Sequence, residues 1–257
     1  MDLEPAERNP AELRRTAFIL VAIMIIGAGF VLYAYRKHEQ SQDPKRPPIV
    51  AKISKNLAAK NQHNQLVSLS ELEGKVWFAA PICVSQLDEN QHALAMMKEL
   101  WQHYSDNDQV RFVFLSIEGA DQGVEAEELM AAMKSLGIDD DRCWFLTTGD
   151  TGKQRGYIKD QLRLGLVIER KEGEAGGKWK FPSEIALIDR KMHLRQRYDF
   201  KEIYQAQEMA KQKVAADPSL KDNEEARFYV NAVENQKAKL LKHTDYVLSE
   251  TRTGHVD

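Results

Sequence analysis

The chain has 257 residues, of which 36 are lysine or arginine and 39 are aspartate or glutamate, and its formal net charge is −3. This near balance gives no reason to expect a nucleic-acid-binding surface, and the length allows one large domain or two small ones with a buried core. Two cysteines exclude a disulfide framework and a multi-cysteine zinc site, and leave at most one disulfide, between Cys83 and Cys143.

An uncharged apolar segment lies near the N-terminus. It runs over 19 residues from Ala17 to Tyr35, between the basic pairs Arg14–Arg15 and Arg36–Lys37. At about 1.5 Å per residue, a helix of this length crosses a hydrocarbon core of about 30 Å. A cleaved signal peptide would have a shorter apolar region of about 7–15 residues, although the small residues at 27–29 offer a cleavage site. We therefore expect a single-pass membrane anchor, and the basic residues on both sides leave its orientation undecided.

Strand-like and helix-like patterns alternate through the rest of the chain, after a polar, proline-rich tether at 38–49. Apolar runs predict strands at 76–84, 110–117, 143–147 and 184–188, the last forming a hairpin with 193–199. Helical spacing predicts one helix capped by the pair Asp88 and Gln91, and others over 124–136, 151–164 and 200–215. This order predicts an α/β domain with a mainly parallel sheet and helices on both faces.

The predicted domain organisation has five parts. They are a short N-terminal tail (1–16), the transmembrane helix (17–35), a tether and entry segment (36–64), the α/β domain (65–216) and a helical C-terminal extension (217–257). Within the domain, residues 171–178 are rich in glycine and charge and predict a flexible hairpin tip. In the extension, residues 219–251 predict one more helix with a sparse apolar stripe. That helix either folds back on the domain or serves as a docking helix for a partner.

Four segments follow one another along the chain: GKVWFAA (74–80), VRFVFLSIE (110–118), CWFLTTG (143–149) and EIALIDRKMHLRQRYD (184–199). In this order they resemble the Sco/SenC family. Its members are membrane-anchored, thioredoxin-fold proteins that deliver copper to, or maintain the thiols of, the dinuclear copper centre of cytochrome c oxidase. The resemblance covers about residues 65–215 and implies a thioredoxin-like fold.

The resemblance also implies where copper ligands would lie. The family's Cys-x-x-x-Cys pair falls on Gln86 and Asn90, and its copper-binding histidine falls on Phe181. Copper prefers thiolate, thioether or imidazole ligands, which two amides and a phenyl ring do not provide. No register of the loop 85–90 supplies a cysteine. We therefore expect no metal at these positions, no cofactor, and no catalytic residue, because the chain is not expected to be an enzyme.

A displaced copper site is the alternative. Cys83, His92 and Met96 lie close together in the sequence and form a plausible Cu(I) ligand set. Cys83, however, precedes the loop within a strand, and a small buried cysteine beside core methionines explains the same pattern without a metal.

Three functional hypotheses follow. The first is an accessory or scaffold factor in cytochrome c oxidase assembly without standard copper ligation, with oxidase subunits or other assembly factors as partners. The second is an active copper chaperone that uses Cys83, His92 and Met96, and the third is a thiol-disulfide oxidoreductase. The acidic N-terminus does not fit a mitochondrial presequence. Together with the resemblance, this predicts a bacterial inner membrane with the domain on the periplasmic side.

Overall fold

The computed structural model describes residues 10–41 and 46–250. The chain divides into two compact units between Arg46 and Pro47. In the first unit, helix α1 spans Pro10–Ser41. It contains Arg14–Leu32, which is long and apolar enough to cross a membrane, by length and composition. This candidate span begins three residues before the predicted one, 17–35, and overlaps most of it.

The second unit contains ten strands and six further helices among its described residues. The strands are Ala51–Lys52 (β1), Ala58–Asn61 (β2), Leu66–Ser68 (β3), Val76–Ile82 (β4), Val110–Ser116 (β5), Cys143–Thr147 (β6), Ile168–Glu169 (β7), Trp179–Lys180 (β8), Glu184–Ile188 (β9) and His193–Asp199 (β10). The helices are Gln91–His103 (α2), Ala126–Ser135 (α3), Thr151–Asp160 (α4), Phe200–Ala216 (α5), Glu224–Val230 (α6) and Ala232–Ser249 (α7).

Eight strands form one sheet in the order β1-β10-β9-β4-β5-β6-β2-β3. The central strand β4 pairs in parallel with β5, and β5 pairs in parallel with β6. On either side the pairing is antiparallel, between β4 and β9 and between β6 and β2. The outer pairs, β9 with β10 and β2 with β3, are antiparallel because short turns join their strands. The prediction of a thioredoxin-like α/β domain with helices on both faces is confirmed, but the sheet is mixed rather than mainly parallel.

The sheet separates two hydrophobic clusters. All seven residues of β4 are buried, because helices or loops cover both faces of this strand. On one face, Phe78 and Phe112 belong to a cluster with residues of α2, α3 and α7. On the other face, Trp77 and Val113 belong to a cluster with residues of α4 and of the segment before β4. The alternation along each strand thus assigns neighbouring residues to opposite layers.

Two segments differ from the predictions. The tether and entry segment, 36–64, contributes two strands to the sheet, β1 at one edge and β2 next to the other edge strand, β3. The segment 219–251, predicted as one helix, instead forms a short 3-10 helix at Pro218–Asp222, followed by α6 and α7. Helix α7 is folded back on the domain, since Leu240 and Val247 are buried in the first cluster.

Candidate functional site

The candidate site lies at the carboxyl ends of the parallel strands β4 and β5. This is where α/β sheets commonly bind their ligands, because the loops that follow parallel strands meet at that edge. The loop after β4, residues 83–90, leads into α2, and Glu118 follows β5. Strands β7 and β8 form a separate two-stranded hairpin that contacts this loop. We call residues 168–180 the hairpin.

Asn90 ties the loop to the start of β9. Its side chain is 1% exposed. The amide nitrogen donates to the Pro81 carbonyl at 2.7 Å, and the amide oxygen accepts a hydrogen bond from the Ser183 hydroxyl. Helix α2 begins at Gln91 without a side-chain cap, so the predicted cap pair of Asp88 and Gln91 is wrong. The Asn90 amide makes tertiary contacts instead of capping the helix.

Gln86 ties the loop to the hairpin. Its amide oxygen accepts from the backbone N–H of Lys178 at 2.8 Å. Phe181 is half-buried and packs against the second hydrophobic cluster. Gln86 therefore contacts a residue three positions before Phe181, and Asn90 contacts one two positions after it. The structure brings both amides to the segment around Phe181, where their donors and acceptors are used within the protein.

Glu89 makes the ionic contact between loop and hairpin. Its carboxylate accepts from Arg170 at 2.9 Å and from the backbone N–H of Gly177. Both members of the ion pair are mostly buried. Arg170 also donates to the carbonyls of Gly177 and Trp179, at 2.6 and 2.8 Å. Burial alone would raise the pKa of Glu89, but the hydrogen bonds from Arg170 and Gly177 and the nearby cationic charge outweigh it, so this pKa is lowered.

Two glycines allow the hairpin to lie this close to the loop. A Cβ atom on Gly177 would overlap with the side-chain amide of Gln86. Gly176 has a φ of +105°, and a Cβ there would lie 2.9 Å from the Glu89 carboxylate. Glycine alone satisfies both the left-handed backbone and the close approach. The glycine-rich sequence, predicted as a flexible tip, is needed for the contact with the loop.

Glu118 contacts both the loop and the hairpin. The sequence motifs did not identify it as a site residue. It is only 7% exposed. One carboxylate oxygen accepts from the Ser85 N–H at 3.1 Å. The other accepts from the Ser85 hydroxyl at 2.7 Å and from the Trp179 indole at 3.3 Å. The only signal in the sequence was that Glu118 ends VRFVFLSIE (110–118), one of the four segments that carry the family resemblance.

Two residues of α4 contact the backbone around Glu118 and the ring of its partner Trp179. The Arg155 guanidinium lies 3.9 Å from the centre of the Trp179 ring and donates to the Ile117 carbonyl at 2.8 Å. Gln154 is completely buried, and its amide nitrogen donates to the Glu118 carbonyl at 3.1 Å. The position of Glu118 thus depends on α4 as well as on β5.

The displaced ligand set is not brought together. Cys83 and Met96 are buried in clusters on opposite faces of the sheet. His92 stacks on Tyr204 of α5, with ring centres 4.2 Å apart. Within residues 10–41 and 46–250, no group of three or more His, Cys, Asp and Glu side chains is arranged to hold a metal ion.

Both cysteines are free, buried thiols. Cys83 is 1% exposed, and its sulfur lies 3.4 Å from the Ser85 hydroxyl oxygen. Burial raises the pKa of Cys83 to about 11, and burial also raises the pKa of Cys143. Because the thiolate is the reactive form, neither thiol is activated at neutral pH.

Comparison with known proteins finds solved structures of the Sco/SenC family. No family model and no curated protein matches the chain. A SCO1/SenC family lipoprotein from Bacillus anthracis has 19% identity and a TM-score of 0.48, over 58% of this chain and 86% of that one. The likeness is one of fold.

Two copper-bound structures also match. ScoI from Bradyrhizobium japonicum has 17% identity and a TM-score of 0.42, over 58% of this chain and 90% of its own. ScoI from Arabidopsis thaliana has 11% identity and a TM-score of 0.48, over 74% of this chain and 99% of its own. The family of these structures is the one that the sequence motifs resemble.

Proposed function

We propose that the chain is a membrane-anchored, Sco/SenC-like accessory or scaffold factor in assembly of the copper centre of cytochrome c oxidase. It acts through protein contacts and does not hold the copper cargo at the family's ligand positions. Its domain lies on the periplasmic side of a bacterial inner membrane, and its partners are oxidase subunits or other assembly factors.

The observation that carries this proposal is that polar contacts within the protein hold the loop 83–90 against the hairpin and the start of β9. Gln86 and Asn90, at the positions of the family's cysteines, use their amides to hold the hairpin and the start of β9. An amide is a poor copper ligand, and Asn90 is in addition buried and paired on both its nitrogen and its oxygen. The geometry supports a surface that is shaped for a partner rather than a pocket that receives an ion.

The two alternative functions both require a reactive or accessible thiol. A chaperone that used Cys83, His92 and Met96 would need Cys83 and Met96 on the same side of the sheet, but they belong to clusters on opposite faces. A thiol oxidoreductase would need an accessible thiolate, whereas burial raises the pKa of Cys83 to about 11. These observations favour the scaffold role.

Copper binding by the full-length protein in detergent tests the ligation part of the proposal. Wild type and Cys83→Ser are titrated with Cu(I) against a chromophoric chelator. We expect neither to take up copper stoichiometrically. A one-to-one complex in wild type that is lost in Cys83→Ser would overturn the proposal and establish a displaced site.

Complementation in the native host tests the assembly part. We expect deletion of the gene to lower the activity and copper content of cytochrome c oxidase, and a Cys83→Ser copy to restore both. Gly177→Ala, which opens the contact between loop and hairpin, should restore them poorly, whereas the matched control Gly149→Ala should restore them fully. Unchanged oxidase in the deletion strain would refute the assembly role.

A further inference from the structure

Arg195 is a buried cation at the end of the domain opposite to the candidate site. It lies on β10 and is 1% exposed. Its guanidinium donates to the Asp189 carboxylate at 3.0 Å and to both carboxylate oxygens of Glu250, at 2.7 and 3.0 Å. Its remaining N–H groups donate to the Pro47 carbonyl at 3.1 and 2.9 Å. A buried arginine with this many charge-assisted bonds is held in one orientation.

The Pro47 contact is at the first residue of the second unit. From there, residues 47–53 run along β10, and we call them the strap. The Val50 N–H donates to the Leu194 carbonyl at 2.8 Å, and the Ile53 N–H donates to the Met192 carbonyl at 2.9 Å. Strand β1 within the strap has only two residues. Between the buried residues Pro47 and Ile53, the strap is therefore mostly exposed and held by few backbone bonds, so this part opens at lower cost than the central strands.

The Glu250 contact is at the end of α7. Arg190, in the turn between β9 and β10, donates to the carbonyls of Leu248 and Glu250 at 2.9 and 3.0 Å. The beginning and the end of the domain thus meet at one guanidinium. One edge of the Arg195 guanidinium donates to the Pro47 carbonyl, and another edge donates to the Glu250 carboxylate.

Loss of the Glu250 contact has a defined consequence. Without that carboxylate, the guanidinium keeps a single acidic partner, Asp189, and has unsatisfied N–H groups that favour contact with water. If the guanidinium turns toward water to satisfy these groups, its other N–H groups move away from the Pro47 carbonyl. The strap then loses the contact that fixes its first residue.

We propose that Arg195 and Glu250 form a clamp through which α7 holds the strap against β10. Release of the clamp adds the seven residues of the strap to the connection that follows α1. A fully extended chain of this length spans about 23 Å, at about 3.3 Å per residue. The C-terminal helix thereby controls how much chain links the candidate anchor to the domain, which is a regulatory role beyond the proposed scaffold function.

Hydrogen exchange in the full-length protein in detergent tests the clamp. In Glu250→Ala, the amides of Val50 and Ile53 should exchange at least about tenfold faster, because a charge-assisted contact is lost. The amides of Phe78 and Phe112, in the central strands, should keep their wild-type rates. Trypsin cleavage after Lys52, within the strap, should accelerate in parallel.

Lys237→Ala is the matched control, since it breaks a different ion pair of α7, with Glu99. We expect no change in the strap amides of this variant. The clamp is refuted if Glu250→Ala leaves the strap amides at wild-type rates, or if Lys237→Ala accelerates them equally. If Glu250→Ala also accelerates exchange in the central strands, the exchange rates of the strap and of the central strands are compared in Glu250→Gln instead. That substitution removes the charge but keeps the size of the side chain.

Discussion

The hairpin and helix α7 are both attached to the outside of the main sheet, but by different interactions. The hairpin contributes one buried aromatic side chain, Trp179, and is otherwise held by polar contacts with Gln86 and Glu89. Helix α7 contributes Leu240 and Val247 to a hydrophobic cluster and adds polar contacts around them. The attachment of α7 depends on apolar area removed from water, whereas that of the hairpin depends on close geometry.

The polar contacts of α7 lie around its apolar stripe. The Tyr104 hydroxyl donates to Asp245 at 3.0 Å, and the Tyr198 hydroxyl lies 2.7 Å from Nδ1 of His243. Such bonds add little net stability when both partners could bond to water instead, but they select one register of the helix. We therefore expect apolar burial to dominate the free energy that holds α7 on the domain, and single close contacts to decide whether the hairpin stays against the loop.

The largest effect is expected from Leu240→Ala. This side chain is completely buried, so truncation should lower the free energy of unfolding by about 2–5 kcal/mol. Denaturant unfolding of the full-length protein in detergent, followed by tryptophan fluorescence, measures the loss. A loss below about 1 kcal/mol would mean that polar contacts, rather than apolar burial, chiefly hold α7 on the domain.

Gly177→Ala should open the hairpin with a smaller cost, about 1–3 kcal/mol, because overpacking forces the backbone away from Gln86. The expected signature is local, namely faster hydrogen exchange of the Lys178 amide with unchanged rates in β4 and β5. Gly149→Ala, where no atom lies near the added Cβ, is the control. Equal behaviour of the two variants would contradict the close contact.

Glu89→Gln should weaken the hairpin by about 1 kcal/mol, because the amide keeps an acceptor but loses the charge opposite Arg170. Since the pKa of Glu89 is lowered in the folded protein, its ionised form stabilises the hairpin. That stabilisation is fully present above the unfolded pKa, near 4.5, and is lost as the pH falls through the folded value. The Lys178 amide should therefore lose protection in acid in wild type, but should show no such dependence in Glu89→Gln.

The smallest effect is expected from Lys237→Ala. The ion pair between Lys237 and Glu99 is well exposed, and such pairs contribute about 0–1 kcal/mol. Unfolding midpoints of the variant and of wild type should nearly coincide, and high salt should remove any remaining difference. A cost comparable to that of Leu240→Ala would show that charge, rather than apolar area, fixes α7.

The amino-acid sequence by itself determined where the main strands of the domain lie. The segment 110–117 predicts a buried strand from its near-continuous apolar residues, and β5 occupies Val110–Ser116. Similarly, apolar runs predict strands at the positions of β4, β6 and β9, and the predicted hairpin gives the position of β10. These assignments succeed because a buried strand requires apolar residues that are close together in the sequence, where the pattern can be read directly.

Only the tertiary structure decided how the strands pair at the edges. Residues 51–61 have no strong strand pattern, yet β1 pairs with β10 and β2 pairs with β6. The predicted parallel sheet is mixed for the same reason, since pairing depends on which exposed edge a segment meets. Nothing in the local sequence states where that edge lies.

The candidate site shows the same division. The sequence identified Gln86, Asn90 and Phe181 by position, but it did not identify Glu118, whose partners Ser85 and Trp179 are 33 and 61 residues away along the chain. Nor did it show that Cys83 and Met96 lie on opposite faces of the sheet. Contacts across such separations depend on how strands and helices are stacked, and a buried carboxylate acquires its partners only when that stacking removes it from water.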